Sequence, residues 1–259
     1  MRSDGVSSKN DIPTREKSIL SGLYLSKYDD AGLRELGFDS FVEAFNVIGF
    51  ALGIKPRSIK NYRDEFDPLF PNQRMGWHKR KTRDYCMTIL NEYAGLDFES
   101  FTGLVRSFFG YNEAIESALG PELPVDGSSA FAQRLITGLA AEHYFESIHS
   151  DVAQFKGLSI ENTTRFGCGY DYRLYSEPRG ENFVAVEVKG LREKSGTVSM
   201  TPKEYDVASL LRDRFYLFVV RNFRESPFHQ IFQNPLSSGL EFCKSERTVV
   251  QVSWLATLS

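Results

Sequence analysis

The sequence predicts an α/β (α+β) protein in which an all-helical N-terminal half precedes a core with a mixed central sheet flanked by helices. Three observations carry that prediction. Apolar residues recur at helical spacing up to about residue 109, and strand-like apolar runs follow residue 170. Between them the stretch LGPELPVDGSS at 119–129 breaks the pattern with two prolines, two glycines and two serines. The expected division is a polar, floppy arm at 1–17, a helical domain at 18–120 and a sheet-bearing domain at 129–259.

In the first half, Phe41, Phe45, Ile48 and Leu52 form one helical stripe, and Gly53 ends it. Lys55-Pro56 opens a second helix in which Ile59, Tyr62 and Phe66 share a face. A third helix is expected over 81–93. A fourth is expected over about 97–109, with Phe98, Phe101, Leu104, Val105 and Phe108 inward.

After the break, 129–149 reads as a helix with Phe131, Leu135, Leu139 and Tyr144 among its buried residues. Strands are expected around 170–175 and 183–189, with a short third strand at 197–200. Thr201-Pro202-Lys203-Glu204 is a helix start, with Thr201 as N-cap, Pro202 in the first turn and Glu204 closing a capping box. That helix carries Val207, Leu210 and Leu211 to about residue 214. The continuous apolar run FYLFVV at 215–220 fits a strand covered on both faces. A last strand is expected near 248–255.

Composition excludes several classes. No apolar run approaches the roughly 20 residues of a membrane helix, and the polar N-terminus lacks a secretory segment. Three scattered cysteines give neither a disulfide framework nor a CxxC zinc site. The four histidines show no HxH or HExxH spacing. A cytoplasmic location is expected. The net charge of -3 and pI near 5.9 argue mildly against nucleic acid, although averages hide clustering.

Chemistry concentrates in FVAVEVK. Alternation sends Val184, Val186 and Val188 to one face and Phe183, Ala185, Glu187 and Lys189 to the other. Charges at the end of an apolar strand need partners, because a half-buried carboxylate or ammonium alone is costly. Asp171, 16 positions ahead of Glu187, comes beside it if the two strands pair through the turn SEPRGEN. Two carboxylates make an oxygen site suited to Mg²⁺, with Lys189 in reach of the scissile phosphate and attacking water. The plainer alternatives are a solvated ion pair for Glu187 and Lys189 and a turn residue after Gly169 for Asp171. The capping box fully explains Glu204, which therefore stays outside the catalytic set.

The ordered set GYDYRLYS, FVAVEVKG and VSMTPKEYDVASLLRDRFYLFVV resembles the PD-(D/E)XK nucleases, most closely an Mrr-like branch found at the C-terminus of NO VEIN-type proteins and in restriction-associated nucleases. The resemblance spans about 130–222, and GYD stands where the superfamily motif has PD. It implies a restriction-endonuclease-like core, Asp171 and Glu187 as metal-binding carboxylates, Lys189 as the catalytic lysine, and Mg²⁺ with Mn²⁺ able to replace it. Glu142 resembles the acidic residue many members carry on the first core helix, and it is nearly as readable as a solvated helix residue.

A basic cluster lies in the helical half. Lys55, Arg57, Lys60, Arg63, Arg74, Lys79, Arg80, Lys81 and Arg83 face three acids, Asp64, Glu65 and Asp67. The region 40–67 reads as helix, tight glycine turn, helix, and its second helix offers Arg57, Ser58, Lys60, Asn61 and Arg63 as a recognition surface. A run such as HKRK is also readable as a solvated loop. Trp77 is expected in the core rather than on a base. Together these readings give a magnesium-dependent restriction-type endonuclease acting on double-stranded DNA as a homodimer. The alternatives are a non-cutting DNA-binding or defence protein with a nuclease-like fold, and a structure-specific repair nuclease.

Overall fold

Helices α1 (Thr14–Lys27), α2 (Asp29–Glu35), α3 (Phe41–Ala51), α4 (Pro56–Phe66), α5 (Asp84–Tyr93) and α6 (Phe98–Ser107) build the N-terminal half. The long α7 (Gly127–Ile148) leads into strands β1 (Ser159–Asn162), β2 (Tyr172–Tyr175), β3 (Phe183–Gly190), β4 (Phe215–Arg221) and β5 (Phe228–Gln233). Helix α8 (Pro202–Leu211) connects β3 to β4. The structure, a computed structural model, describes residues 12–74, 76–77, 79–110, 127–177 and 182–246. The break near 119–126 and the strand expected at 248–255 lie outside them.

Local chemistry sets the helix starts. Ser40 accepts the Glu43 N–H at the head of α3, Asp97 accepts the Ser100 N–H ahead of α6, and Pro56 opens α4. Thr201 and Glu204 close a reciprocal capping box at α8, as the sequence predicts.

The five strands lie in sequence order, all antiparallel neighbours except the parallel pair β3–β4. A parallel pair needs a crossover, which α8 supplies. All six residues of the run 215–220 are buried, as a strand covered on both faces requires. One face of β3 places Val186 and Val188 in the main core with Ile136, Ala140 and Phe145 of α7. The other places Ala185 with Phe215 and Ala208 of α8 in a smaller cluster. The main core does not stop at the sheet. It continues from Phe145 and Phe218 through Ile48 of α3 to Leu20 and Leu23 of α1, and α3 packs on both α4 and α7.

Several expectations need correction. Residues 14–17 are the first turn of α1 rather than arm. Helix α1 has no apolar stripe because residues 18–26 are buried on every face and include Ser18, Ser21 and Ser26. The first two hydroxyls donate to carbonyls one turn back, and the third donates to Asp67. The strands β1 and β5, SIEN and FHQIFQ, lie at the two sheet edges, where exposure permits polar residues and erases the apolar signal. Residues 197–200 form no strand. In α7 the buried face is Ala132, Gln133, Ile136, Thr137, Ala140, Ala141 and Phe145, while Leu135, Leu139 and Tyr144 stand at its margins. Small side chains are needed there because α7 approaches β3 closely: a Cβ on Gly190 would lie 2.7 Å from the Thr137 carbonyl oxygen. Leu210 projects to solvent, and Ala208 is the residue α8 buries.

Candidate active site

Strands β2 and β3 pair antiparallel up to Tyr172 opposite Val186. Asp171, just ahead of β2, departs from that register by donating its backbone N–H to the Val186 carbonyl at 3.1 Å, and it lines the same cleft as Glu187. The Asp171 carboxylate accepts the Val188 N–H at 2.9 Å, and the Asp171 carbonyl accepts the Thr163 N–H at 2.8 Å. The loop leading in turns at Gly169, whose φ of +88° suits glycine; a Cβ there would also meet Val207 at 2.9 Å and the Lys203 carbonyl at 3.1 Å. That contact fits the loop tightly against the first turns of α8.

Glu187 and Lys189 share the α8 face of β3, as alternation predicts. The Lys189 ammonium lies 2.6 Å from Glu187 Oε1 and donates to Glu204 Oε2 at 2.9 Å. Glu187 is only 3% exposed, which removes the reading of a solvated surface pair. Glu142 comes in from α7. A cleft of about 550 Å³ opens among Glu142, Asp171, Glu187, Lys189, Arg192 and Glu204, walled by α7 on one side and by 197–199 on the other.

The electrostatics are those of crowded acids. Burial pushes Glu142 up to about 7, helped by the charges of Asp171 and Glu146 and opposed by Lys189. Burial and then Asp171 raise Glu187, and the nearby ammonium does not offset them. Burial also raises Asp171, against the Val188 N–H and Lys189. For Lys189, burial pulls downward, but Glu187 and Glu204 together hold its ammonium above the usual lysine range. Glu142, Asp171 and Glu187 thus crowd a site whose nearest ammonium is already shared with a fourth acid.

A divalent cation would relieve that crowding. Among the described residues, no group of three or more His, Cys, Asp or Glu forms a metal cage. The available donor set is the Asp171–Glu187 pair, which fits Mg²⁺ or Mn²⁺, cations that take oxygen ligands and keep part of their water shell. It does not fit a structural zinc centre.

The basic residues of the helical half lie outside this cleft, and two of them need correction as DNA contacts. Arg63, 7% exposed, bonds Asp64 at 2.9 Å, lies 3.5 Å from Asp67 and covers the Phe41 and Phe45 rings. Arg74 bonds Asp67 at 2.7 and 2.9 Å, pairs with Asp29 and covers Phe41. Both guanidiniums are spent inside the fold. Lys60 is exposed and lies 2.5 Å from Asp64. Lys55 and Arg57 are exposed, and Ser58 and Asn61 half-buried, on the outer side of α4. Lys79, Arg80 and Lys81 are exposed, with Arg80 covering Trp77 at 3.8 Å and Lys81 3.5 Å from Asp84. Trp77 is half-buried under Arg80 and Arg83 rather than in the core.

Two features of the cleft escape sequence reading. Glu204 belongs to the site as well as to its capping box, because a local motif gives no sign of the long-range contact to Lys189. Arg192 pairs with the fully buried Glu43 and, at 2.5 Å, with Asp39, tying the cleft wall to the head of α3. The described histidines make contacts outside the cleft: His143 Nδ1 lies 2.9 Å from the Ala51 carbonyl, His149 Nδ1 2.9 Å from the Glu146 carbonyl, and His229 3.2 Å from the Tyr144 hydroxyl.

No curated protein and no solved structure matches the chain. The family model described as Protein NO VEIN, C-terminal, matches residues 141–233, a stretch that runs from the last turns of α7 to the end of β5 and takes in Glu142, Asp171, Glu187, Lys189 and Glu204.

Proposed function

We propose that this chain is a divalent-metal-dependent endodeoxyribonuclease of restriction type. The observation that carries the reading is the convergence of Asp171, Glu187 and Lys189 in one cleft at the end of β3, with two buried acids close enough for their charges to interact and an ammonium beside them. The likeness of residues 141–233 to the NO VEIN C-terminal family supports it. So does the resemblance of the ordered motifs to PD-(D/E)XK nucleases.

Asp171 and Glu187 would hold Mg²⁺ or Mn²⁺, which supplies charge against the phosphodiester and makes the attacking water more acidic. Lys189 projects into the same cleft, where its ammonium can stabilise charge developing on the phosphate and orient the water. Glu142, poised near neutrality, can exchange a proton with water in the cleft. The exposed side of α4, with Lys55, Arg57 and Lys60, is the recognition surface in this reading, and Lys79, Arg80 and Lys81 add phosphate contacts. One such centre cuts one strand, so cleavage of both calls for two copies about a two-fold axis.

One observation favours a second reading, a nuclease-like fold that binds DNA without cutting it. Glu187 and Glu204 already neutralise Lys189, and no three-donor metal group is present among the described residues.

Plasmid cleavage separates the two. The full chain should nick supercoiled DNA in Mg²⁺ or Mn²⁺ and stop in excess EDTA. Lys189→Ala should lower the rate about 10²- to 10³-fold, as expected on losing a group that stabilises transition-state charge. Mobility shifts without cleavage on plain, methylated and branched DNA would establish the non-cutting reading. Cleavage confined to branched DNA would mark a structure-specific repair nuclease.

A further inference from the structure

Glu204 performs two tasks with one oxygen. Its Oε2 accepts the Thr201 N–H at 3.0 Å, completing the capping box, and also accepts the Lys189 ammonium at 2.9 Å. A capping glutamate normally faces water at a helix head, yet the Glu204 side chain is only 14% exposed. Its place is fixed from both sides. The box sets its rotamer, and the Gly169 loop that leads to Asp171 packs against Lys203 and Val207, which flank it.

Lys189 is therefore shared between two carboxylates, at 2.6 Å from Glu187 and 2.9 Å from Glu204. Under the metal-dependent reading, a cation entering at Glu187 meets an ammonium already seated on one of its ligands. Two positive charges on one buried carboxylate repel, so the ammonium must have another acceptor in reach or it will oppose the cation. Glu204 is that acceptor. We propose that Glu204 is a positioning residue that takes the Lys189 ammonium when a divalent cation occupies Asp171 and Glu187, holding the lysine in the cleft while freeing Glu187. The proposal rests on the nuclease reading for the cation and adds to it a residue that capping alone does not require.

The test is calorimetric titration of the full chain with Ca²⁺ in the absence of DNA, so that cleavage does not enter the readout. Glu204→Gln retains an oxygen for the cap and loses the charge that draws Lys189. It should raise the Ca²⁺ dissociation constant about tenfold, the low end for a hydrogen bond to a charged group. Thr201→Ala, which removes the other half of the box, should lower Tm while leaving that constant within about twofold, as expected for an N-cap loss that acts on helix stability. Lys189→Met should bind Ca²⁺ more tightly than the wild type. In that background Glu204→Gln should have no further effect.

Equal Ca²⁺ affinity for wild type and Glu204→Gln would overturn the role of Glu204 alone. So would a full tenfold effect that persists beside Lys189→Met, because Glu204 would then act on the cation directly. A wild-type chain that binds no divalent cation would overturn this proposal and the metal-dependent reading together.

Discussion

The two charged clusters of this protein answer burial in opposite ways. In the helical half, Asp67 is fully buried, yet Arg63, Arg74 and the Ser26 hydroxyl all turn toward it, and Glu65 is held by Arg83. Arginine forks match acid with base there, and the cluster fastens α1, α4 and the segment after α4. In the cleft, Glu142, Asp171, Glu187 and Glu204 surround one ammonium, which two of them share, while Arg192 at the cleft wall is paired with Asp39 and Glu43. Matched charges serve the fold. An acidic surplus held in place by a sheet and two helices is a cost that protonation or a bound cation offsets, which is why the proposed function is placed there.

That contrast can be broken at either end. The largest effect on stability should come from Asp67→Ala, which takes a buried acid from two guanidiniums, leaving Arg63 to Asp64 and Arg74 to Asp29, and should cost about 3 kcal/mol in chemical denaturation. The folded fraction should keep the Ca²⁺ affinity of the wild type. An equal loss of cation binding would show that the clusters are not independent.

A smaller effect should follow pH. A carboxylate whose folded pKa is raised stabilises the fold below the ordinary carboxylate range, and it loses that contribution as pH rises through the folded value. Glu142, at about 7, and the raised Glu187 should therefore make the metal-free protein less stable between pH 5 and pH 9. The loss should be on the order of 1–2 kcal/mol after solvent screening. Ca²⁺ should flatten the profile in thermal melts, and a flat metal-free profile would contradict the acidic surplus.

The smallest effect sharpens the division among the basic residues. Arg57→Ala should leave Tm unchanged, weaken DNA binding a few-fold and reduce the salt slope of log K by about one, the signature of one phosphate contact. Arg63→Ala should instead act through stability, which fluorescence melts against DNA titrations would separate.

Much of this was legible in the sequence because it is local or periodic. The alternation in FVAVEVK placed Glu187 beside Lys189, TPKE announced α8, and FYLFVV announced the central strand. What stayed hidden depends on contacts between distant residues. Arg63 and Arg74 have the composition of a DNA-binding surface, and although Asp64 and Asp67 are near in sequence, only the fold buries them, lays Arg63 over Phe41 and Phe45 and brings Asp29 to Arg74. Glu204 has a complete local explanation, and only the β3–α8 packing reveals its second partner. Helix α7 is less legible for a related reason: its close approach to Gly190 selects Thr137 and Ala141 for part of the buried face, beside Ile136 and Phe145, and leaves Leu139 and Tyr144 at the core margin.

Helix α3 touches both α4, which carries the exposed cations, and α7, which walls the cleft. Under the proposed nuclease function, which would read one stretch of duplex and cut another, such a shared neighbour would work as a ruler. The offset between recognised bases and broken bond would be counted by packed helices rather than by a tether, and it would come out as one fixed number of base pairs.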